Sequence, residues 1–315
     1  MSYDRLRTRG VVLLIVWLAV LAVSARVAVG QPREPTLLYS RTPDFKGWQT
    51  QIHTHGLSSG VTTPISEPLW GSWAFDWSLD GRRIAYGGTL GLTVVDWRGN
   101  DPQTFAKGVA SGIWMCDWSP DGRDVLFSGS VGGRSEIFAV HLATGRADRL
   151  AGLPGGSNGE PEWSPNGRQI AFIGELDVYT MDADGRNTVR LTETWERESS
   201  ATWAPHGDEI AYLFEYREIR AMRPDGKKER LIVRADGALD NIWSVSWTAD
   251  PSLLVYTEVR PNGGRIVSIR HDGSDRRVLM EEDGVHYSSA RLLLPGLAVD
   301  AGGKLATTLG RLKSE

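Results

Sequence analysis

Four short stretches of the 315-residue chain combine residue types and spacing that could do chemistry. Gly155-Gly156-Ser157-Asn158-Gly159 has the spacing of a serine nucleophile elbow, which needs a strand before it and a helix after it. It stands instead in a linker between RLAGLP and PEWSPNG, so it reads as a loop. Asp182-Ala183-Asp184-Gly185-Arg186-Asn187 resembles a calcium loop, but Gly is fourth and Arg fifth where such a loop needs Gly sixth and an oxygen ligand fifth. A hairpin turn accounts for it. His53 and His55 are two apart on a predicted strand and share one face, a start towards a zinc site that no Cys pair or HExxH-like spacing completes. The single cysteine, Cys116, can form no intramolecular disulfide, and no cation beside it in sequence favours a thiolate, so a buried inert thiol is expected. These stretches predict no catalytic residue, no metal and no cofactor.

The elements that carry these residues follow from a repeat. FDWSLDGRRIAY begins at Phe75, CDWSPDGRDVLF at Cys116, PEWSPNGRQIAF at Pro161, ATWAPHGDEIAY at Ala201 and VSWTADPSLLVY at Val245. The indoles Trp77, Trp118, Trp163, Trp203 and Trp247 are separated by 41, 45, 40 and 44 residues. A period of about 40–45 residues built from short β-type runs is the signature of a propeller blade. In the Trp118 unit, Ser119-Pro120-Asp121-Gly122 sets a type I turn followed by a left-handed residue, which is a hairpin loop with a bulge. A second strand pair follows, as in DVYTMDADGRNTVRLT at residues 177–192, so each unit predicts four strands. A sixth unit is split. Residues 37–66 align with the later strands of a blade, and residues 286–310 are left over to supply its first strand. The fold expected is an all-β, six-bladed propeller of four-stranded antiparallel blades; seven blades or an incompletely closed ring is the alternative.

Composition agrees. Glycine (36) and tryptophan (13) are frequent and methionine is scarce (5), as suits a turn-rich β protein. The formal charge of −4 with interleaved signs lacks the basic stripe of a nucleic-acid binder, so no nucleic-acid partner is expected. At the N-terminus, Arg5, Arg7 and Arg9 precede the apolar run VVLLIVWLAVLAV and then SARVAVGQP, the layout of a secretory signal. Residues 1–30 are therefore expected to be a signal peptide, cut after Ala25 or Gly30, or else an uncleaved anchor that gives the only membrane attachment. Residues 31–315 form a single propeller domain, periplasmic or secreted. A closed ring has no long open edge, which predicts a monomer.

The phrase WSPNGR…IAF…VYTMDADGRN…RLT, taken from residues 163–192, resembles the repeat of the periplasmic TolB-type propellers, also called WD40-like or PD40 repeats. The resemblance covers essentially residues 35–310 and implies the propeller fold; it is weak for function, because one fold hosts many activities. TolB-type proteins carry a small α/β domain ahead of the propeller that engages membrane partners. Here the repeats begin about ten residues after the leader, so that domain is not expected.

The repeat also aligns residues that are far apart in sequence. Four before each motif Trp stand Trp73, Trp114, Gly159, Ser199 and Trp243; one before it stand Asp76, Asp117, Glu162, Thr202 and Ser246. Equivalent positions sit at equal heights around the axis. Trp73, Trp114 and Trp243, with Tyr287, are thus candidates to rim one mouth of the channel. Asp76, Asp117 and Glu162 are candidates for a partial acidic ring, which could equally serve as hydrogen-bond acceptors between blades. Exposed aromatics mixed with charge suit a protein interface. The expectation is a non-catalytic, exported scaffold for a protein partner in the envelope or outside the cell. The alternative is a carbohydrate- or small-ligand-binding propeller, even a lyase-like enzyme, drawing on His286, Tyr287, Arg291 and Arg197.

Overall fold

The recurring motif is a hairpin held by its own serine. In the Trp118 copy the Ser119 hydroxyl donates to Asp121 Oδ1 (2.8 Å) and accepts the N–H groups of Asp124 (2.9 Å) and Arg123 (3.2 Å). Gly122 N–H donates to the Ser119 carbonyl at 2.9 Å. Gly122 takes φ +69°, the left-handed region a residue without Cβ enters freely. Ser78 and Ser164 repeat the arrangement with Asp80 and Asn166. The turn is therefore encoded within six residues.

In a computed structural model, the structure describes residues 30–43, 49–70, 74–88, 90–150, 153, 156–237 and 240–295. Blade 1 contains β1 (Thr36–Pro43), β2 (Gln49–Gly56), β3 (Thr62–Pro64) and the short β4 (Leu69–Trp70). Blade 2 is β5 (Phe75–Trp77), β6 (Arg83–Gly88), β7 (Gly91–Asp96) and β8 (Gln103–Phe105). Blade 3 is β9 (Ser111–Trp118), β10 (Asp124–Val131), β11 (Arg134–His141) and β12 (Arg146–Arg149). Blade 4 is β13 (Asn158–Trp163), β14 (Gln169–Gly174), β15 (Asp177–Asp182) and β16 (Val189–Arg190). Blade 5 is β17 (Glu198–Trp203), β18 (Ile210–Phe214), β19 (Glu218–Met222) and β20 (Arg230–Arg234). Blade 6 is β21 (Asn241–Trp247), β22 (Leu253–Arg260), β23 (Gly263–Arg270) and β24 (Arg277–Asp283). The last strand, β25 (Val285–Leu293), returns to blade 1 and pairs antiparallel with β1, from Thr36↔Leu293 to Pro43↔Val285. The result is a six-bladed propeller of antiparallel sheets, with β4 as an extra short strand on β2.

A four-stranded sheet cannot cover both its own faces, and the ring solves this with one apolar cluster at each blade interface. Between blades 2 and 3, Ala85, Leu92 and Val94 meet Trp118, Val125 and Phe127. Leu38 and Ile52 meet Phe75 and Ile84 between blades 1 and 2. Leu37 and Tyr39 meet Val255 and Ile266 between blades 1 and 6, so the circle closes. The inner strands β5, β9, β13, β17 and β21 each run towards their motif turn. The propeller thus has a turn face, carrying the five motif hairpins, and an opposite strand-start face.

Candidate functional site

The inner strands β25, β5, β9, β13, β17 and β21 line the central channel, and in four of the five motif units the residue before the Trp reaches across to the next blade. Asp76 Oδ2 accepts the N–H of Trp118 (3.2 Å), Asp117 Oδ2 that of Trp163 (2.7 Å) and Glu162 Oε1 that of Trp203 (2.7 Å). Thr202 donates its hydroxyl to Glu162 (2.8 Å) and accepts the N–H of Trp247 (3.3 Å). One level away, Glu160 accepts the N–H of Ser200 in the same fashion. The acidic ring is therefore a belt that ties blade to blade. Ser246 turns back to the carbonyl of Trp247 (3.0 Å). At the sixth position stands Arg291, whose Nε lies 3.5 Å from Asp76 Oδ1 with both side chains mostly buried.

Three carboxyl groups thus share one guanidinium. Burial pushes Glu162 up to about 7 against the pull of Arg291. Burial, then the neighbouring charges of Asp76 and Glu162, push Asp117 well above the usual carboxylate range. Asp76 is raised by burial and held down by Arg291. Burial also raises Glu160. On the turn face the belt forms the floor of a funnel of about 230 Å³, walled by the five motif tryptophans and rimmed by Leu79, Pro120, Pro165 and Pro205.

The strand-start face is different. Trp114 and Trp243 each occupy the extra position of a β-bulge: Met115 pairs with Ser128 and Ile113 with Gly129, while Ser244 pairs with Thr257 and Ile242 with Glu258. A bulge re-aims its side chain, and here it leaves the two indoles 40% and 37% exposed. Trp70 (65% exposed) and Trp195 (fully exposed) lie in the segments that feed β5 and β17 at this same face. Trp73 lies outside the described residues. Tyr287 does not join this rim. The register of β25, with an irregularity opposite Tyr39 and Arg41, puts it in the interface of blades 6 and 1. It is fully buried there, edge-on to Tyr39 at 5.5 Å, with its hydroxyl donating to Glu282 (3.4 Å).

The other chemical candidates resolve into structure. Asn158–Trp163 is a strand, so no helix follows Ser157; Gly155 lies outside the described residues. Asp182–Asn187 is a turn closed by Asn187 Nδ2 donating to Asp182 Oδ2 (2.6 Å). His53 stacks on Tyr39 at 5.6 Å, and His55 Nδ1 meets Thr62 Oγ1 at 2.8 Å. Cys116 is buried in the channel wall, 3.6 Å from the Ala85 carbonyl, and burial pushes its thiol well up. Arg197 lies over the Tyr216 ring at 5.2 Å. Among the described residues no group of three or more His, Cys, Asp or Glu is placed to hold a metal ion. The repeat alignment did not find Arg291 as the belt's cation, because β25 lacks the motif; nor did it find Trp70 and Trp195, which precede the aligned strands.

Comparison with known proteins agrees with this architecture. The sequence profile of the TolB beta propeller domain matches residues 72–290. The crystal structure of TolB from Acinetobacter baumannii superposes with a TM-score of 0.67 at 14% identity, covering 93% of this chain and 74% of that one. The putative TolB from Agrobacterium tumefaciens gives 0.61 at 18% identity, over 82% and 99%. An oligogalacturonate lyase in complex with manganese gives 0.52 at 14% identity, over 76% and 77%. At these identities the structures share the fold alone. A search of the curated proteins finds no match. With the family profile spanning most of its length, the chain belongs to the TolB β-propeller family.

Proposed function

We propose that this chain is an exported, non-catalytic interaction propeller whose strand-start face binds a protein partner in the envelope or outside the cell. One observation carries the reading: Trp70, Trp114, Trp195 and Trp243 stand exposed on one face, two of them held out by bulges at equivalent positions of blades 3 and 6. Exposed indoles on a rigid scaffold are the anchors that interfaces use. The belt carboxyls are occupied with the N–H groups of neighbouring blades, which supports a structural rather than a catalytic role for them. The apolar run at residues 11–23 and the kinship with TolB propellers support export. Among the described residues no helix is long and apolar enough to cross a membrane.

The test is affinity capture and crosslinking from the protein's own envelope fraction, comparing the protein with a Trp114→Ala, Trp195→Ala, Trp243→Ala variant. A specific partner lost in the variant, at an unchanged melting temperature, supports the reading. A partner retained by the variant removes this face from it. N-terminal sequencing of the exported form locates the cleavage site. A second reading, a carbohydrate or small ligand in the funnel, is favoured by the 230 Å³ cavity. A glycan array and an absorbance assay for lyase products test it, and silence in both removes it.

A further inference from the structure

A groove of about 990 Å³, separate from the funnel, lies between blades 5 and 6 on the turn face. Trp247 lines both spaces. One of the five motif units carries an arginine six residues after its Trp; Asp124, Gln169, Glu209 and Leu253 hold that position in the others. Between blades 2 and 3 the same location is filled. Arg83, six residues after Trp77, lays its guanidinium over the Trp118 ring at 4.5 Å and donates to the carbonyl of Gly122 at 3.1 Å. The residue six after Trp203 is Glu209, which is bound to Arg230 (Nη2 to Oε2, 2.6 Å). Arg230 is tied in turn to the carbonyl of His271. Among the described residues no guanidinium lies over the Trp247 ring, which lines the groove.

The turn beneath has also changed. In blades 4 and 5 the motif glycine packs on the proline of the preceding blade: a Cβ built on Gly167 would lie 3.8 Å from Pro120, and on Gly207 3.8 Å from Pro165. In blade 6 the glycine position is Pro251, so that closure is altered, and the carbonyl equivalent to that of Gly122 belongs to Pro251 at the groove wall. The indole is flanked by the His271 ring at 6.4 Å. Asp208 and Asp272 line the same groove, and the Ser274 hydroxyl holds the Asp272 carboxyl below its usual range.

We propose that this slot takes the arginine side chain of a partner protein, seated on Trp247 as Arg83 is seated on Trp118. The molecule itself shows which chemistry fits: an indole face, a carbonyl at the end of the turn and a planar guanidinium that satisfies both. Lys228 and His206 lie in the same groove, so net charge is near balance, and selection rests on stacking and the carbonyl rather than on attraction at a distance. The site is on the face opposite Trp114 and Trp243 and is independent of the partner surface proposed above.

The experiment is a titration of the full chain, labelled at its indole nitrogens, with the peptide acetyl-Gly-Gly-Arg-Gly-Gly-amide, read by the Trp247 Nε1–H resonance in NMR. Trp247→Phe assigns that resonance. The proposal expects a saturable shift, weaker with lysine in place of arginine and missing with glutamate. Glu209→Arg, made with Arg230→Gln so that no two guanidinium groups oppose each other, supplies the slot from within and abolishes the shift. No saturable shift at ~10 mM peptide, a weaker-than-millimolar limit, overturns the proposal. So does an equal response to the glutamate or lysine peptide. The Trp114→Ala, Trp243→Ala variant leaves the titration unaltered, which separates this site from the other face.

Discussion

Arg291→Met tests the belt most directly. Arg291 brings the one guanidinium shared by Asp76, Asp117 and Glu162, and it comes from the strand that closes the ring. At 3.5 Å and an effective dielectric of ~20, its attraction to Asp76 is about 5 kcal/mol before desolvation. Removing one partner of a buried pair costs about 3–5 kcal/mol, because the other charge is left in place. That figure applies at pH 8, where Glu162 has lost its proton. Each belt carboxyl is raised in the folded state. Its contribution to stability is therefore fully present below the ordinary carboxylate pKa and, for Glu162, is lost as pH rises through about 7. Without Arg291 the carboxyls rise further, so protons can replace the missing cation at low pH, and the loss at pH 5 shrinks to about 1–2 kcal/mol. Urea unfolding of both proteins at pH 5 and pH 8 reads this. Glu162→Gln added to Arg291→Met recovers part of the loss at pH 8 and little at pH 5. An equal loss at both pH values refutes the shared-charge reasoning and leaves only the packing of the arginine stem.

Trp118→Ala removes a buried indole from the interface of blades 2 and 3, together with its Nε1–H bond to the Asp76 carbonyl (3.2 Å) and the seat of Arg83; denaturant unfolding should show a loss of about 3–5 kcal/mol. Gly91→Ala places a Cβ 2.3 Å from the Phe105 carbonyl oxygen at φ +142°, and a loss of about 1–3 kcal/mol in the same assay is expected. Cys116 should resist a thiol reagent in the native protein and react at a rate that follows unfolding; rapid native labelling would show that the channel wall opens.

The propeller was legible in the residues because each blade's hairpin is written within six positions. A serine, an Asp or Asn and a glycine make the turn at Ser78, Ser119 and Ser164, and the Trp before it packs against the preceding blade. The order of the blades, the four strands and the split sixth unit follow from that period. The belt was half legible: alignment brought Asp76, Asp117 and Glu162 together, because equal repeat positions reach equal heights. What the acids do there was decided by the partner blade, whose Trp N–H groups they accept, and by Arg291, 215 residues from Asp76 on a strand without the motif. Exposure was likewise a tertiary outcome. Trp114 and Trp243 face solvent because one extra residue bulges their strands, while Tyr287 is buried by the register of β25 on β1. Local turns depend on neighbours in sequence, which a single chain displays. A bulge depends on the register of two strands within one blade, while charge sharing depends on residues contributed by different blades, about forty or more positions apart, and takes effect only when the ring brings those blades side by side.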